Sequence, residues 1–318
     1  MVTLGKSGLE VTPLCLGGNV FGWTADEATS FQVLDAYLEE GGNFIDTADV
    51  YSAWVLGHDG GESETVLGRW IHKRKNRNHI VIATKVGSLN PEAPGKPNLS
   101  RRHILRAVED SLRRLQTDYI DLYQAHRDDE TTELEETLAT FADLIKQGKV
   151  RAIGASNYSP QRLTEALSLS KQHGYPRYES LQPFYNLVGR KGYEAELEGI
   201  CLKEEIGVIP YSALASGFLS GKYRPDKELP KTQRAQGVQS RYWNERSFAV
   251  LSEMDKFAIY YHATLAQLAL AWLIARSSIT APIASATSIE QTHELMGALK
   301  LQLDQDTIEA LAKVSEGL

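Results

Sequence analysis

Asn43–Tyr51, NFIDTADVY, is the stretch that decides how the chain is read. Phe44 and Ile45 read as the end of a buried strand, yet Asp46 follows at once, and Tyr51 stands beyond a short loop. A bare carboxylate in such a place is costly. An acid and a phenol at the mouth of a strand therefore point to chemistry at that strand end, and the question becomes what the rest of the chain brings there.

Moving outward, short β-rich runs recur at Leu14–Gly17, Asn43–Ile45, Ile80–Thr84, Tyr119–Tyr123, Val150–Gly154, Ser180–Gln182, Val208–Pro210 and Ile279–Ile283. Amphipathic stretches lie between them, among them Asp26–Glu40, Glu62–Lys73, Ser100–Leu115, Leu134–Gln147, Pro160–His173 and Tyr193–Glu205. Helix punctuation agrees. Gly41 follows the first stretch as a stop, Ser100 precedes the third, and Ser159-Pro160 opens the fifth as an N-cap with proline behind it. KQGK and KQHG close the fourth and fifth with cations at the carbonyl end. Val2–Leu4 and Leu9–Val11 flank the turn residues GKSG and read as a hairpin. Eight strands each followed by helix read as parallel βα units. No Pro/Gly/Ser-rich linker divides the chain. The expected fold is α/β: a single (β/α)8 TIM barrel over residues 1–318, with an N-terminal β-hairpin. Lys222–Asn244, after strand seven, is the longest irregular stretch and is expected to act as a lid or functional loop.

The 318 residues are 42% hydrophobic and 24% charged, ample for a large core. A net charge of −7 disfavours nucleic acid and anionic membrane surfaces as partners. Cys15 and Cys201 read as buried thiols of a reducing compartment. MVTLGKSGLEV lacks the pattern of a signal peptide, and no apolar run reaches the roughly 20 residues of a membrane helix. The expected location is the cytoplasm.

In a barrel of this class the active site is built at the C-terminal strand ends. Those ends carry Asp46 with Tyr51, Lys85, His126, Ser156 with Asn157, Gln182, and Tyr211 with Ser212. Singly, each has a plain explanation: Lys85 as a solvated strand end, His126 as a core histidine, Asp46 as a turn cap, Tyr51 as a surface aromatic. Together they assemble a chemistry. A free tyrosine, with a pKa of about 10, is a poor acid at neutral pH. A neighbouring ammonium, Lys85, is expected to lower that value, and Asp46 to pair and fix Lys85. His126 is placed to donate to a substrate oxygen. This is a tuned general acid beside an oxygen-orienting imidazole, suited to a carbonyl that must be protonated as it gains electrons. No electron source is present, so a cofactor is required. There is no GxGxxG after a strand, hence no Rossmann fingerprint. No HxxxH or CxxC spacing marks a metal site, and none is expected.

Taken together, GGNFIDTADVY, GGESETVLGRWI, IATKVG, SLRRLQTDYIDLYQAHRDD, GKVRAIGASNYS, LQPFYNLV, PYSALASGFLSGKY and IEQTHELMGAL resemble the aldo-keto reductases over essentially the whole chain. The likeness is strongest to the bacterial branch that also resembles potassium-channel β subunits and aryl-alcohol dehydrogenases. The resemblance implies an NADPH-dependent oxidoreductase that reduces aldehydes or ketones by hydride transfer, with Asp46, Tyr51, Lys85 and His126 as catalytic tetrad and Tyr51 as general acid. It implies that Ser156, Asn157 and Gln182 bind the nicotinamide carboxamide and that Tyr211 stacks on its ring. Ser212, Leu214, Gly217 and Lys222 would line the pyrophosphate, and Ser285, Thr287, Gln291 and Glu294 the adenosine. QRAQG resembles a clasp segment and would bring Arg234 over the cofactor. Ser285 stands where glycine is common, Leu295 where an adenine-contacting asparagine is usual, and Thr287 and Gln291 where arginine is frequent. These departures leave NADH as an alternative cofactor. Trp23, Trp54 and Trp243 are candidate walls of the substrate pocket. The partner expected is a small-molecule carbonyl compound, with monomer and homo-oligomer both open. The competing reading is a cofactor-binding redox sensor or regulatory subunit with little turnover.

Overall fold

In the computed structural model, which describes residues 1–318, strands Val2–Thr3 (β1) and Glu10–Val11 (β2) pair antiparallel as a hairpin. The eight strands that follow are Cys15–Gly17 (β3), Phe44–Asp46 (β4), Val81–Val86 (β5), Ile120–Ala125 (β6), Val150–Ser156 (β7), Tyr178–Gln182 (β8), Gly207–Val208 (β9) and Ile283–Ala284 (β10). They form one all-parallel sheet in the order β10-β3-β4-β5-β6-β7-β8-β9. The sheet curls until its ends meet. Thr280 N donates to Val208 O at 2.8 Å and Ile283 N to Pro210 O at 2.9 Å, closing the gap between β9 and β10. The architecture is the (β/α)8 barrel expected, and each of the eight strands falls on a run picked out in the sequence.

The helices are Glu27–Glu39 (α1), Glu62–Arg74 (α2), Arg101–Leu115 (α3), Leu134–Lys146 (α4), Pro160–His173 (α5), Lys191–Glu194 (α6), Glu198–Glu204 (α7), Ala235–Tyr242 (α8), Glu245–Tyr261 (α9), Leu265–Ile274 (α10), Ile289–Gly297 (α11) and Gln305–Val314 (α12). Ser159 caps α5 by accepting from Arg162 N, with Pro160 at the first helical position. Ser100 precedes α3, but its hydroxyl bonds Asn98 and caps nothing. Two expectations change. The stretch Tyr193–Glu205 is two short helices, α6 and α7, and nothing in the structure explains the break. Lys222–Asn244 is not wholly irregular: α8 lies within it, its Val238 and Tyr242 buried against the core.

Two cores result. The larger lies between sheet and helices, around Trp70, Phe141, Tyr178 and Trp272. The smaller fills the base of the barrel with Cys15, Phe44, Ala83, Leu122, Ala152 and Ile209, plugged from below by Leu4 and Val11 at the hairpin. Strand side chains alternate with period two. Two residues beyond each of those barrel-lining side chains lies another position of the same alternation: Gly17, Asp46, Lys85, Gln124, Gly154 and Tyr211. The same alternation that makes the base apolar makes the upper barrel polar.

Candidate active site

Lys85 is fully buried and Asp46 nearly so. The Lys85 Nζ donates to Asp46 Oδ2 at 2.7 Å, to Thr47 O at 2.8 Å and to Tyr51 Oη at 2.8 Å. All three ammonium protons are thus engaged. Tyr51 in turn donates to Asp46 Oδ2 at 2.9 Å, and Gln182 Nε2 donates to Asp46 Oδ1 at 2.9 Å. A buried ion pair repays its desolvation only when the remaining hydrogen-bonding capacity is filled. Here all three Lys85 protons and both Asp46 oxygens are engaged. Burial pulls the Lys85 pKa below the ordinary lysine value, while Asp46 pushes it back up.

The Tyr51 phenol departs from expectation. Its pKa lies well above the ordinary tyrosine value, first because the hydroxyl is buried and then because Asp46 is close and accepts its proton. Lys85 is in place, but its charge is spent on Asp46. The neutral phenol therefore keeps its proton until a stronger base appears. A substrate oxygen that has gained electrons is such a base.

His126 follows β6 and stands edge-on to Tyr51, ring centroids 6.1 Å apart. Burial, with the charges of Lys85 and Arg127, holds its pKa well below the ordinary histidine value. The ring is neutral at working pH. Its Nδ1 is shut off from solvent without a partner, so the productive donor is Nε2–H.

The wall beside this cluster comes from β7, β8 and the loop after β9. Asn157 Nδ2 donates to His126 O at 3.0 Å and to Ser156 Oγ at 3.0 Å, Ser156 Oγ donates to Gln182 O at 2.9 Å, and Tyr211 Oη donates to Asn157 Oδ1 at 2.9 Å. The nicotinamide-binding candidates therefore form one connected group, adjoining the tetrad through Gln182 and His126.

Beyond Tyr211 the backbone is unusual. Ser212, Ala215 and Ser216 have positive φ (59°, 50° and 58°), as does Gly217 (92°). Away from the mouth, the non-glycine residues of this kind, Lys75, Gln116, Glu205 and His262, cap helix C-termini. Within this stretch Ala215 N donates to Ser212 O at 2.7 Å and Gly217 N to Leu214 O at 2.8 Å, so it folds as consecutive tight turns. A Cβ on Gly217 would lie 2.9 Å from Lys222 Nζ. Lys222 and Arg234 have no carboxylate partner, and each has its pKa lowered by burial, Lys222 also by the charge of Arg234. Two cations held together beside these tight turns fit a pyrophosphate. Arg234 reaches across to Trp23, 6.0 Å from its ring centroid, so the stretch after strand seven bridges to the loop after β3.

Toward β10, Ser285 Oγ donates to Asn19 Oδ1 at 2.6 Å, an oxygen from a residue the sequence did not single out. Thr287 donates through N and Oγ1 to Gln291 Oε1. Glu294 lies one turn further along α11, half-buried, while Leu295 packs into the core. Leu214 is partly buried against the core. Trp23 and Trp54 meet edge-on at 5.4 Å, and Trp54 meets Tyr51 at 6.1 Å. Trp243 does not join them; it packs edge-on against Phe248 at 5.2 Å. No three His, Cys, Asp or Glu side chains stand close enough to hold a metal ion, and no single helix is long and apolar enough to cross a membrane.

Residues 13–316 match the aldo/keto reductase family. The chain belongs to that family. It is an NAD(P)H-dependent oxidoreductase on a barrel. Among its relatives, the uncharacterized oxidoreductase YrpG of Bacillus subtilis is 33% identical, covering 99% of this chain and 95% of that protein. The putative aryl-alcohol dehydrogenase C977.14c of Schizosaccharomyces pombe is 32% identical over 97% and 93%. Norsolorinic acid reductase A of Aspergillus parasiticus is 30% identical over 95% and 77%. As a family member the chain acts on small-molecule carbonyl substrates.

Proposed function

We propose that the protein is an NADPH-dependent reductase of aromatic aldehydes or ketones. The observation that carries this reading is the closed hydrogen-bond set Gln182–Asp46–Lys85–Tyr51, with neutral His126 beside it and an aromatic wall of Tyr51, Trp54 and Trp23. The names of two relatives, an aryl-alcohol dehydrogenase and a norsolorinic acid reductase, support an aryl substrate.

The dinucleotide supplies a hydride to the carbonyl carbon. Tyr51 and His126 Nε2–H hold the carbonyl oxygen by hydrogen bonds. As negative charge gathers on that oxygen, Tyr51 gives up its proton to it. Lys85 then stabilises the phenolate left behind, and Asp46 keeps Lys85 in reach. Donors already aimed at the developing charge lower the barrier without reorganising. Ser156, Asn157 and Gln182 position the carboxamide, Tyr211 supports the ring, and the loop from Ser212 to Lys222 cradles the phosphates. NADPH oxidation followed against a panel of benzaldehydes and aliphatic aldehydes, beside a direct NADPH-binding titration, tests the reading. Turnover of the aromatic compounds is expected. Tight NADPH binding with no turnover of any carbonyl would leave a sensor instead.

A further inference from the structure

Of the three acceptors around the Lys85 ammonium, two belong to the proton chemistry. Asp46 is the counterion and Tyr51 the acid. The third, Thr47 O at 2.8 Å, is a neutral backbone oxygen. It does not titrate, so its placement decides where the ammonium rests when the proton leaves Tyr51.

Thr47 follows β4 directly, and its N–H donates to Ala83 O at 2.8 Å, continuing the ladder with β5. Its side chain is fully buried, and so is Ser63, the second residue of α2. The two hydroxyl oxygens lie 2.8 Å apart. Ser63 Oγ donates its one proton to Gly18 O at 2.7 Å, so Thr47 Oγ1 is the donor between them. Gly18 N in turn donates to Asp46 O at 2.7 Å. The result is a closed ring, Thr47–Ser63–Gly18–Asp46, that ties the ends of β3 and β4 to the start of α2. Glu64, the next residue of α2, anchors that start from its other side: fully buried, it accepts from Thr84 Oγ1 at 2.6 Å and from Arg114 Nε at 2.7 Å. Stability alone does not call for the hydroxyl pair, because two bonded polar groups replaced together by apolar groups of like shape can cost almost nothing. What the pair adds is direction. With its N–H and its side chain both held, Thr47 keeps its carbonyl aimed at Lys85.

We propose that Thr47 and Ser63 are positioning residues of the reduction: their buried hydroxyl chain to Gly18 holds the Thr47 carbonyl where it fixes the Lys85 ammonium against the Tyr51 hydroxyl. This rests on the reductase reading above. Neither residue touches substrate or cofactor. Each acts through Lys85, which must stay charged and in place to stabilise the phenolate that Tyr51 becomes. A hydrogen bond to the ammonium favours its charged form, and loosening that bond lets the pKa of Lys85 fall.

The test follows kcat for benzaldehyde reduction against pH at saturating NADPH in Thr47→Val, Ser63→Ala and Thr47→Ser, with NADPH affinity and denaturant midpoint measured alongside. In Thr47→Val and Ser63→Ala the basic limb should move to lower pH, because a neutral Lys85 no longer supports the phenolate. At neutral pH kcat should fall about tenfold, the lower end of what one hydrogen bond to a charged group is worth, with NADPH affinity unchanged. Asp46, Tyr51, Cys15, Asp49 and His126, the titratable groups around Lys85, are the same in every variant. Thr47→Ser keeps the hydroxyl and should keep the wild-type profile. The double variant Thr47→Val/Ser63→Ala should lose no more kcat than either single change, since both break one chain. Thr140→Val removes an equally buried hydroxyl from α4 and should lower the midpoint without moving the limb. Should Thr47→Val not fold, Ser63→Ala, which only removes an atom, carries the comparison. A limb that stays in place in Ser63→Ala, or that moves as far in Thr47→Ser as in Thr47→Val, overturns the proposal and leaves the reductase reading standing. An unaltered protein that binds NADPH and turns over no carbonyl overturns both.

Discussion

Asp46 and Asp49 lie three residues apart in one motif, both buried, and meet opposite fates. Asp46 has both carboxyl oxygens engaged, by Lys85, Tyr51 and Gln182. Neither carboxyl oxygen of Asp49 has a partner, and burial, with the nearby charge of Glu64, holds its pKa well above the ordinary carboxylate value. Replacing each by asparagine should therefore act with opposite sign. Asp46→Asn leaves the fully buried Lys85 ammonium without its counterion and should cost about 3–5 kcal/mol, read as a loss of denaturant midpoint along with activity. Asp49→Asn mimics the protonated acid the fold prefers. The folded chain binds a proton here that the unfolded chain has released, so wild-type stability falls as pH rises above the unfolded carboxylate value of about 3.9 and until the raised folded pKa is passed, by up to about 1.4 kcal/mol per pH unit. Asp49→Asn should flatten that decline and be the more stable protein at neutral pH. Unchanged pH dependence of unfolding in the variant would mean that Asp49 is ionised and partnered in the fold. At the reaction itself, Tyr51→Phe removes the acidic proton and little volume. NADPH oxidation should drop by about 10²–10⁴-fold, with NADPH affinity nearly unchanged in a fluorescence titration; near-normal reduction by the variant would move the general acid elsewhere. That Asp46, Tyr51, Lys85 and His126 would converge at one end of the barrel was legible in the sequence because strand ends can be counted. The sign of the Tyr51 shift was not, because it depends on burial and on Asp46 being shared, and neither is visible without coordinates. Nor could the sequence show that Gln182 holds Asp46.

The strands carry their own logic, which the period-two alternation makes readable. Ala83 and Lys85, or Leu122 and Gln124, point the same way, so an apolar base forces the next layer up to be whatever the chemistry needs. That layer also has a steric rule. A Cβ on Gly154 of β7 would lie 2.1 Å from Ser180 Oγ and 3.2 Å from Gln124 Cγ. Gly154→Ala should thus overpack the barrel and cost about 1–3 kcal/mol, seen as a lowered melting temperature. Adding Ser180→Ala removes the nearest clashing atom and should recover part of the loss, because residues in contact couple; an additive double variant would place the strain outside this pair. Helices were equally legible where caps and cations marked their ends, as at Ser159-Pro160 before α5. They were less so where the signal is tertiary. α8 has a polar, loop-like sequence, and its helix is fixed by the burial of Val238 and Tyr242. The edge-on contact of Trp243 with Phe248 was not legible either.

On the scale of the whole molecule, the hairpin plugs one end of the barrel, and the buried Asp46–Lys85–Tyr51 cluster and the positive-φ residues Ser212, Ala215 and Ser216 gather at the other. The stretch after strand seven is the one that spans this open end, tied at Arg234 to Trp23 in the loop after β3. A ligand lying between them is expected to be covered by that bridge and to leave more slowly for it. The same arginine bears on the choice of dinucleotide. At β10 and α11 the positions that would meet a 2′-phosphate offer Thr287 and Gln291, which hydrogen-bond each other, and Glu294, which would repel it. The cations that remain are Lys222 and Arg234. We therefore expect NADPH to be preferred, with selectivity drawn from the lid rather than from the last strand. One hydrogen bond to a charged phosphate is worth roughly 1.5–3 kcal/mol, or about ten- to hundredfold in affinity. Arg234→Ala should weaken NADPH by that factor and NADH by much less, and should raise the rate of NADPH release in a stopped-flow chase as the bridge to Trp23 is lost. Equal weakening of both dinucleotides would place Arg234 on the pyrophosphate they share. An unaltered protein that binds NADH as tightly as NADPH would mean that the residues of α11, not the lid, have set the cofactor.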